Sequence, residues 1–101
     1  MVRNRIDIPN DKIVDFCRRH RIRRLALFGS VLRDDFSPES DVDVLVDYEP
    51  GATPSLIGAV GQEMELSAIL GRKADMRTAG DLSPYFRDQV IRASEPQYVA
   101  G

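Results

Sequence analysis

A chain of 101 residues with 43% hydrophobic and 30% charged side chains has room for one small domain, residues 1–101. Its net charge of −2 provides no bulk positive field for gripping nucleic acid through phosphates, so direct nucleic-acid binding is not expected. A lone cysteine, Cys17, excludes an internal disulfide and a cysteine-built zinc site. No apolar run approaches the roughly 18 residues of a membrane-spanning helix, and the N-terminus lacks a signal-peptide apolar core, so a cytoplasmic protein is expected.

In chain order, the first residues are polar and carry no pattern. Pro9-Asn10-Asp11 reads as a helix start, and Ile13, Val14, Phe16 and Cys17 form an apolar stripe on a helix from about Asn10 to His20. Cys17 beside Phe16 reads as a small buried filler. The basic run Arg18 to Arg24 suits a helix C-terminus and a soluble strand edge, with a phosphate or RNA contact as the alternative. Arg24 to Phe28 is a short apolar strand. Gly29-Ser30 turns it into a short helix reaching Val31, Leu32 and Arg33, and Asp34 to Ser40 is a loop. Asp41 to Tyr48 is a valine-rich strand, apolar on both faces in its middle and therefore central.

Pro50 to Pro54 is a turn, and Ser55 caps the longest helix, Leu56 to Leu70, which offers Leu56, Ile57, Val60, Met64, Ile69 and Leu70 to the core. Gly71 fits the helix C-terminus. Arg72 to Thr78 is a weaker strand. Ser83-Pro84 opens a last helix to about Ala93 with Phe86, Val90 and Ile91 facing inward, and Gln97 to Ala100 adds a short edge strand. The expected fold is α/β (α+β), a single small mixed sheet with helices packed on it.

Chemistry concentrates between Leu25 and Tyr48. Residues two apart on a strand share a face, so Asp41 and Asp43 project together. Hard ions such as Mg²⁺ take oxygen ligands, commonly one or two carboxylates plus substrate phosphates. Backbone N–H groups at a helix start beginning with Gly29-Ser30 would suit phosphate. Asp47 alternates with this pair but lies farther along and reads as a solvated strand end.

Gly29-Ser30-x-x-Arg33, with ten residues between Ser30 and Asp41, followed by Asp41-x-Asp43, resembles the signature of the DNA polymerase beta-like nucleotidyltransferases. Within that superfamily the chain looks like the minimal nucleotidyltransferases, the MntA-type proteins usually paired with a HEPN-domain partner. Leu27-Phe28-Gly29-Ser30, the helix ending at Leu70-Gly71-Arg72-Lys73 and the Ala74-Asp75-Met76 strand all belong to the match. Leu32 stands where relatives often carry Ala, and Asp34 where they often carry Gly. The resemblance implies a polymerase beta-like palm core with Asp75 as third carboxylate; the alternative for Asp75 is pairing with Lys73 or Arg77. Two metal ions in a phosphoryl-transfer site would need such a group, and it could also accept the proton of an attacking hydroxyl. Gly29 and Ser30 would contact phosphates. Arg33 would do so, or pair with Asp34, Asp35 or Glu39, and Ser40 would orient the carboxylates.

The resemblance further implies an Mg²⁺-dependent enzyme, with two ions, that transfers AMP from ATP to a tyrosine hydroxyl of a HEPN toxin and acts as its antitoxin in a hetero-oligomer. Two alternatives remain open: a binding module that neutralises its partner without catalysis, and nucleotidyl transfer to an RNA end or a small molecule.

Overall fold

The computed structural model describes residues 8–33, 37 and 39–100. The expectations for the first seven residues and for Asp34, Asp35, Phe36 and Pro38 fall outside them. Helix α1 (Asn10–Arg19) starts after Pro9, and Ile13, Phe16 and Cys17 at spacings of three and one are buried on a single side. Strand β1 (Ile22–Phe28) begins two residues before the expected Arg24 and leads into a single 3-10 turn, Gly29–Leu32. Strand β2 (Val42–Tyr48) follows, then helix α2 (Leu56–Leu70), strand β3 (Ala74–Arg77), a 3-10 turn at Ala79–Asp81, helix α3 (Arg87–Ala93) and strand β4 (Glu95–Val99).

The sheet order is β3-β2-β1-β4, with β2 and β3 parallel and the other pairs antiparallel. It is therefore mixed, and β2 lies inside it while β4 forms an edge, as expected. Parallel neighbours cannot be joined by a hairpin, so α2 provides the crossover from β2 to β3. Val42, Val44 and Val46 enter the main core with Ile13, Phe16, Leu25, Leu27 and Leu66, while Leu45 is buried on the opposite face.

Helix α2 has the expected ends. Ser55 Oγ accepts the Gly58 N–H at 3.1 Å, and Gly71 closes the helix in the left-handed region at φ +69°. Its rotation corrects the expectation, since Leu56 (82% exposed), Ile57, Val60 and Met64 face outward. Leu66 and Leu70 are buried instead, with Ile69 packed against them, so only Leu70 and Ile69 of the expected set serve the core. Polar side chains set this rotation. Tyr48 Oη donates to the buried Gln62 at 2.6 Å, Ser67 Oγ accepts from Ala74 N at 2.9 Å, and Glu63 Oε2 accepts from Met76 N at 2.8 Å. The last two bonds satisfy N–H groups of edge strand β3 that would otherwise lack a strand partner.

Helix α3 also departs from expectation. Residues 84–86 form a turn, the helix begins at Arg87, and Phe86 is 60% exposed rather than inward-facing. Arg87 donates to the carbonyls of Ala79 (2.7 Å) and Leu82 (3.1 Å), folding the start of the helix back on the preceding turn. Val90 and Ile91 are half-buried.

The basic run after α1 is matched by acids. Arg19 meets Asp15 and Glu65, His20 meets Glu65 at 2.9 Å, Arg21 meets Glu49 at 3.3 Å, and Arg23 meets Asp47 at 2.7 Å. Arg18 and Arg19 do end α1 as anticipated, but β1 is an interior strand rather than an edge, and the arginines beyond the helix pair with acids, Arg23 giving Asp47 its partner.

Candidate active site

Three short elements build the site. Strand β1 ends at Phe28, whose register partner on β2 is Asp43, and Asp43 is in turn the register partner of Asp75 on β3. Neighbouring strands are about 4.8 Å apart, so the turn after β1 and the two carboxylates are close neighbours across the sheet. Asp41 sits just before β2, two residues from Asp43, where Val42 N donates to Lys73 O at 2.9 Å. Asp43 and Asp75 thus face each other across neighbouring strands, and Asp41 lies two residues before Asp43.

Gly29 makes the approach of turn and carboxylate feasible. It holds φ at +74°, and a Cβ there would overlap Asp43 Oδ2. Glycine meets both demands at little steric cost. The Ser30 backbone N–H donates to Asp43, and Val31 anchors the turn by burying its side chain in the core. A four-residue turn carries little helix dipole, so its conformation serves first to bring the Ser30 N–H to Asp43.

Arg33 closes the 3-10 turn, its N–H donating to Ser30 O at 2.9 Å, and is extended (φ −109°, ψ 159°) rather than continuing a helix. The Ser40 hydroxyl accepts the Ser37 N–H at 3.2 Å and pairs with the Ser37 hydroxyl at 3.1 Å, so it shapes the loop rather than orienting Asp41 or Asp43. Arg72, not anticipated in this role, donates to the carbonyls of Ser37 (2.6 Å) and Ser40 (3.3 Å) and thereby fixes the approach to Asp41.

Electrostatically the site is short of positive charge at Asp43. Burial raises the pKa of Asp43, Asp75 beside it raises it further, and Asp41 adds to this; the Ser30 N–H and Arg77 act in the opposite direction. Like charges held together in this way are relieved by a cation. The donor set also fits a hard divalent ion, since all three groups are carboxylates. Among the described residues, however, no three acidic, histidine or cysteine side chains enclose a point as a finished ion cage. The geometry explains why. Arg77 forks onto Asp75, with Nε 3.2 Å from Oδ1 and Nη2 3.1 Å from Oδ2, and Lys73 Nζ stands 3.9 Å from Asp41. Pairing of Asp75 with Arg77, raised from the sequence as the alternative, is thus present in a protein that also brings Asp75 to the site.

A glycine-serine turn facing strand-borne carboxylates on a mixed sheet is the arrangement of a nucleotidyl-transfer domain. Residues 11–95 match the family model of the nucleotidyltransferase domain, and the chain belongs to that family as a minimal, MNT-type nucleotidyltransferase. It is similar to the protein adenylyltransferase MntA of Thermococcus cleftensis, 35% identical over 73% of this chain and 73% of that protein. A solved structure provisionally assigned as a minimal nucleotidyltransferase is 32% identical, with a TM-score of 0.71 over 86% of this chain and 87% of the other. The fold also matches a chain in the complex of tri-AMPylated Shewanella oneidensis HEPN toxin with MNT antitoxin. That match has a TM-score of 0.63 and 20% identity, and covers 90% of this chain and 70% of that one. No helix among the described residues is long and apolar enough to cross a membrane.

Proposed function

We propose that the chain, acting as one cytoplasmic domain over residues 1–101, transfers AMP from ATP to a tyrosine hydroxyl of a HEPN-type partner protein, and that the modification makes it that partner's antitoxin. The observation carrying this reading is the register of Asp43 with Asp75 beside the Gly29-Ser30 turn, in a chain 35% identical to a protein adenylyltransferase.

In the proposed reaction the tyrosine oxygen forms a bond to the α-phosphorus, and the bond from that phosphorus to the bridging oxygen of pyrophosphate breaks. Asp41, Asp43 and Asp75 are the groups that would hold Mg²⁺, with two ions proposed. Bound there, the metal would supply charge neutralisation at the transferring phosphoryl group. Gly29 lets the turn approach Asp43, and the Ser30 N–H keeps that carboxylate aimed. Gly29, Ser30 and Arg33 are the groups that would contact the phosphate oxygens. Asp75 is the proposed acceptor of the tyrosine proton.

One observation favours a reading in which the chain also, or only, covers its partner: the exposed apolar stripe Leu56, Ile57, Val60 and Met64 on α2. Mass spectrometry of the partner after incubation with ATP, Mg²⁺ and this protein separates the two. The catalytic reading expects a gain of one or more AMP groups, abolished by Asp41→Asn and by Asp43→Asn. Neutralisation that survives both substitutions, with no gain in mass, would overturn it in favour of the binding module.

A further inference from the structure

We propose that Arg77 stands in for a cation in this site, holding Asp75 beside Asp43 and yielding it when a divalent ion enters. The inference rests on the reading of Asp41, Asp43 and Asp75 as the metal-binding set.

Arg77 and Asp75 alternate on β3 and so share one face of it. Both Asp75 oxygens face the Arg77 guanidinium, at 3.2 and 3.1 Å, and these are the atoms a metal would need. The same guanidinium also acts on Asp43 and Asp81. It therefore neutralises carboxylates that are forced together by strand register, the electrostatic task of an ion.

Two features let it give way. The Arg77 side chain is 48% exposed, and an ion pair at such exposure is weak enough to be displaced. Arg77 also borders an open hollow of about 500 Å³ whose lining includes Leu56, Val60, Thr78 and Asp81. Asp81 at that border offers the displaced guanidinium a second carboxylate, while remaining bonded to Thr78 at 3.0 Å. Arg77 is thus a positioning residue. It keeps Asp75 oriented toward the site without the ion and competes with the ion for Asp75.

Mn²⁺ binding, measured without nucleotide by titration calorimetry or by the loss of the free-ion electron paramagnetic resonance signal, tests this directly. Arg77→Gln removes the competing charge and is expected to bind Mn²⁺ about three- to tenfold more tightly than the unaltered protein. Arg77→Lys keeps the charge but loses the fork and is expected to fall between them. Thermal melts of both variants check that the fold is intact. Equal or weaker Mn²⁺ binding by folded Arg77→Gln would overturn the role of Arg77 alone, provided that binding is lost in Asp43→Asn. If Mn²⁺ binding is absent throughout, or survives Asp43→Asn, the metal-site reading fails, and this inference with it.

Discussion

Gly29 and Asp43 fit so closely that a single methyl group would part them: a Cβ on Gly29 would overlap Asp43 Oδ2 and lie 3.2 Å from Cγ. Gly29 also holds a positive φ, which costs a residue with a Cβ roughly 1–2 kcal/mol. Gly29→Ala is therefore expected to lose stability and to move Asp43, lowering Tm by about 4–8 °C for each kcal/mol and AMP transfer by about tenfold or more. Gly61 provides the contrast. It lies in α2, and a Cβ added there would meet nothing within 4 Å, so Gly61→Ala is expected to stabilise the helix by about 0.5–1 kcal/mol. Parallel thermal melts and transfer assays check both.

Asp43 is expected to exchange stability for function. Burial, then the neighbouring Asp75, raise its pKa in the folded protein. The folded state thus holds the proton more tightly than the unfolded chain. Stability contributed at this group falls as pH rises from the ordinary carboxylate value through the raised one, and the full penalty remains above it. Asp43→Asn removes the penalty and can still accept the Ser30 N–H. Its Tm is expected to exceed that of the unaltered protein near about pH 8, with the gap closing toward about pH 4, while AMP transfer is lost. A lower Tm for the variant across that range would contradict the like-charge account.

Cys17 is expected to be chemically silent. It is fully buried in the core, and burial pushes its thiol pKa up to about 12, so the thiolate that reacts with electrophiles is scarce. A thiol reagent such as Ellman's should leave the folded protein unmodified over minutes and label one thiol per chain in denaturant. Rapid labelling of the native protein would show that the helix carrying Cys17 opens readily.

The elements that were legible in the sequence are those fixed by local pattern. Asp43 lies on β2 with Asp41 two residues before it, just outside the strand, and Gly29 marks the point where the chain must turn against Asp43. Ser55 caps α2 through its hydroxyl, and Gly71, lacking a Cβ, ends it in the left-handed region. The rotation of α2 was not legible, because apolar residues occupy two sides of it. The choice was made by Gln62, Glu63 and Ser67, whose partners Tyr48, Met76 and Ala74 lie on the two strands flanking the helix in sequence. The bonds to Met76 and Ala74 also seat β3, which carries Asp75. The position of Asp75 opposite Asp43 depends on strand register across a parallel crossover, which local periodicity does not specify. Family resemblance supplied it instead. For Arg77 the alternation with Asp75 was visible, but its reach toward Asp43 came only with the assembled sheet.

Glu65 links α1 to α2 from outside the core, accepting from Arg19 and meeting His20 at 2.9 Å. The Arg19 hydrogen bond, and then that of His20, holds the Glu65 carboxyl below the usual glutamate range. A depressed carboxylate contributes stability above its unfolded pKa of about 4.3 and loses it as pH falls through the lower folded value. Arg19 is 47% exposed and Glu65 34%, so solvent screens the pair and its worth should be only about 0.2–1 kcal/mol. Glu65→Gln is therefore expected to lower Tm by a few degrees at neutral pH, by less at high salt, and not at all once the carboxylate is protonated. Because Glu65 packs α1 against α2 away from Asp43 and Asp75, AMP transfer at saturating substrate should be unchanged. Melts of both proteins across pH and salt, beside one transfer assay, check this. A Tm difference that persists undiminished into acid would assign the effect to packing of the side chain rather than to its charge.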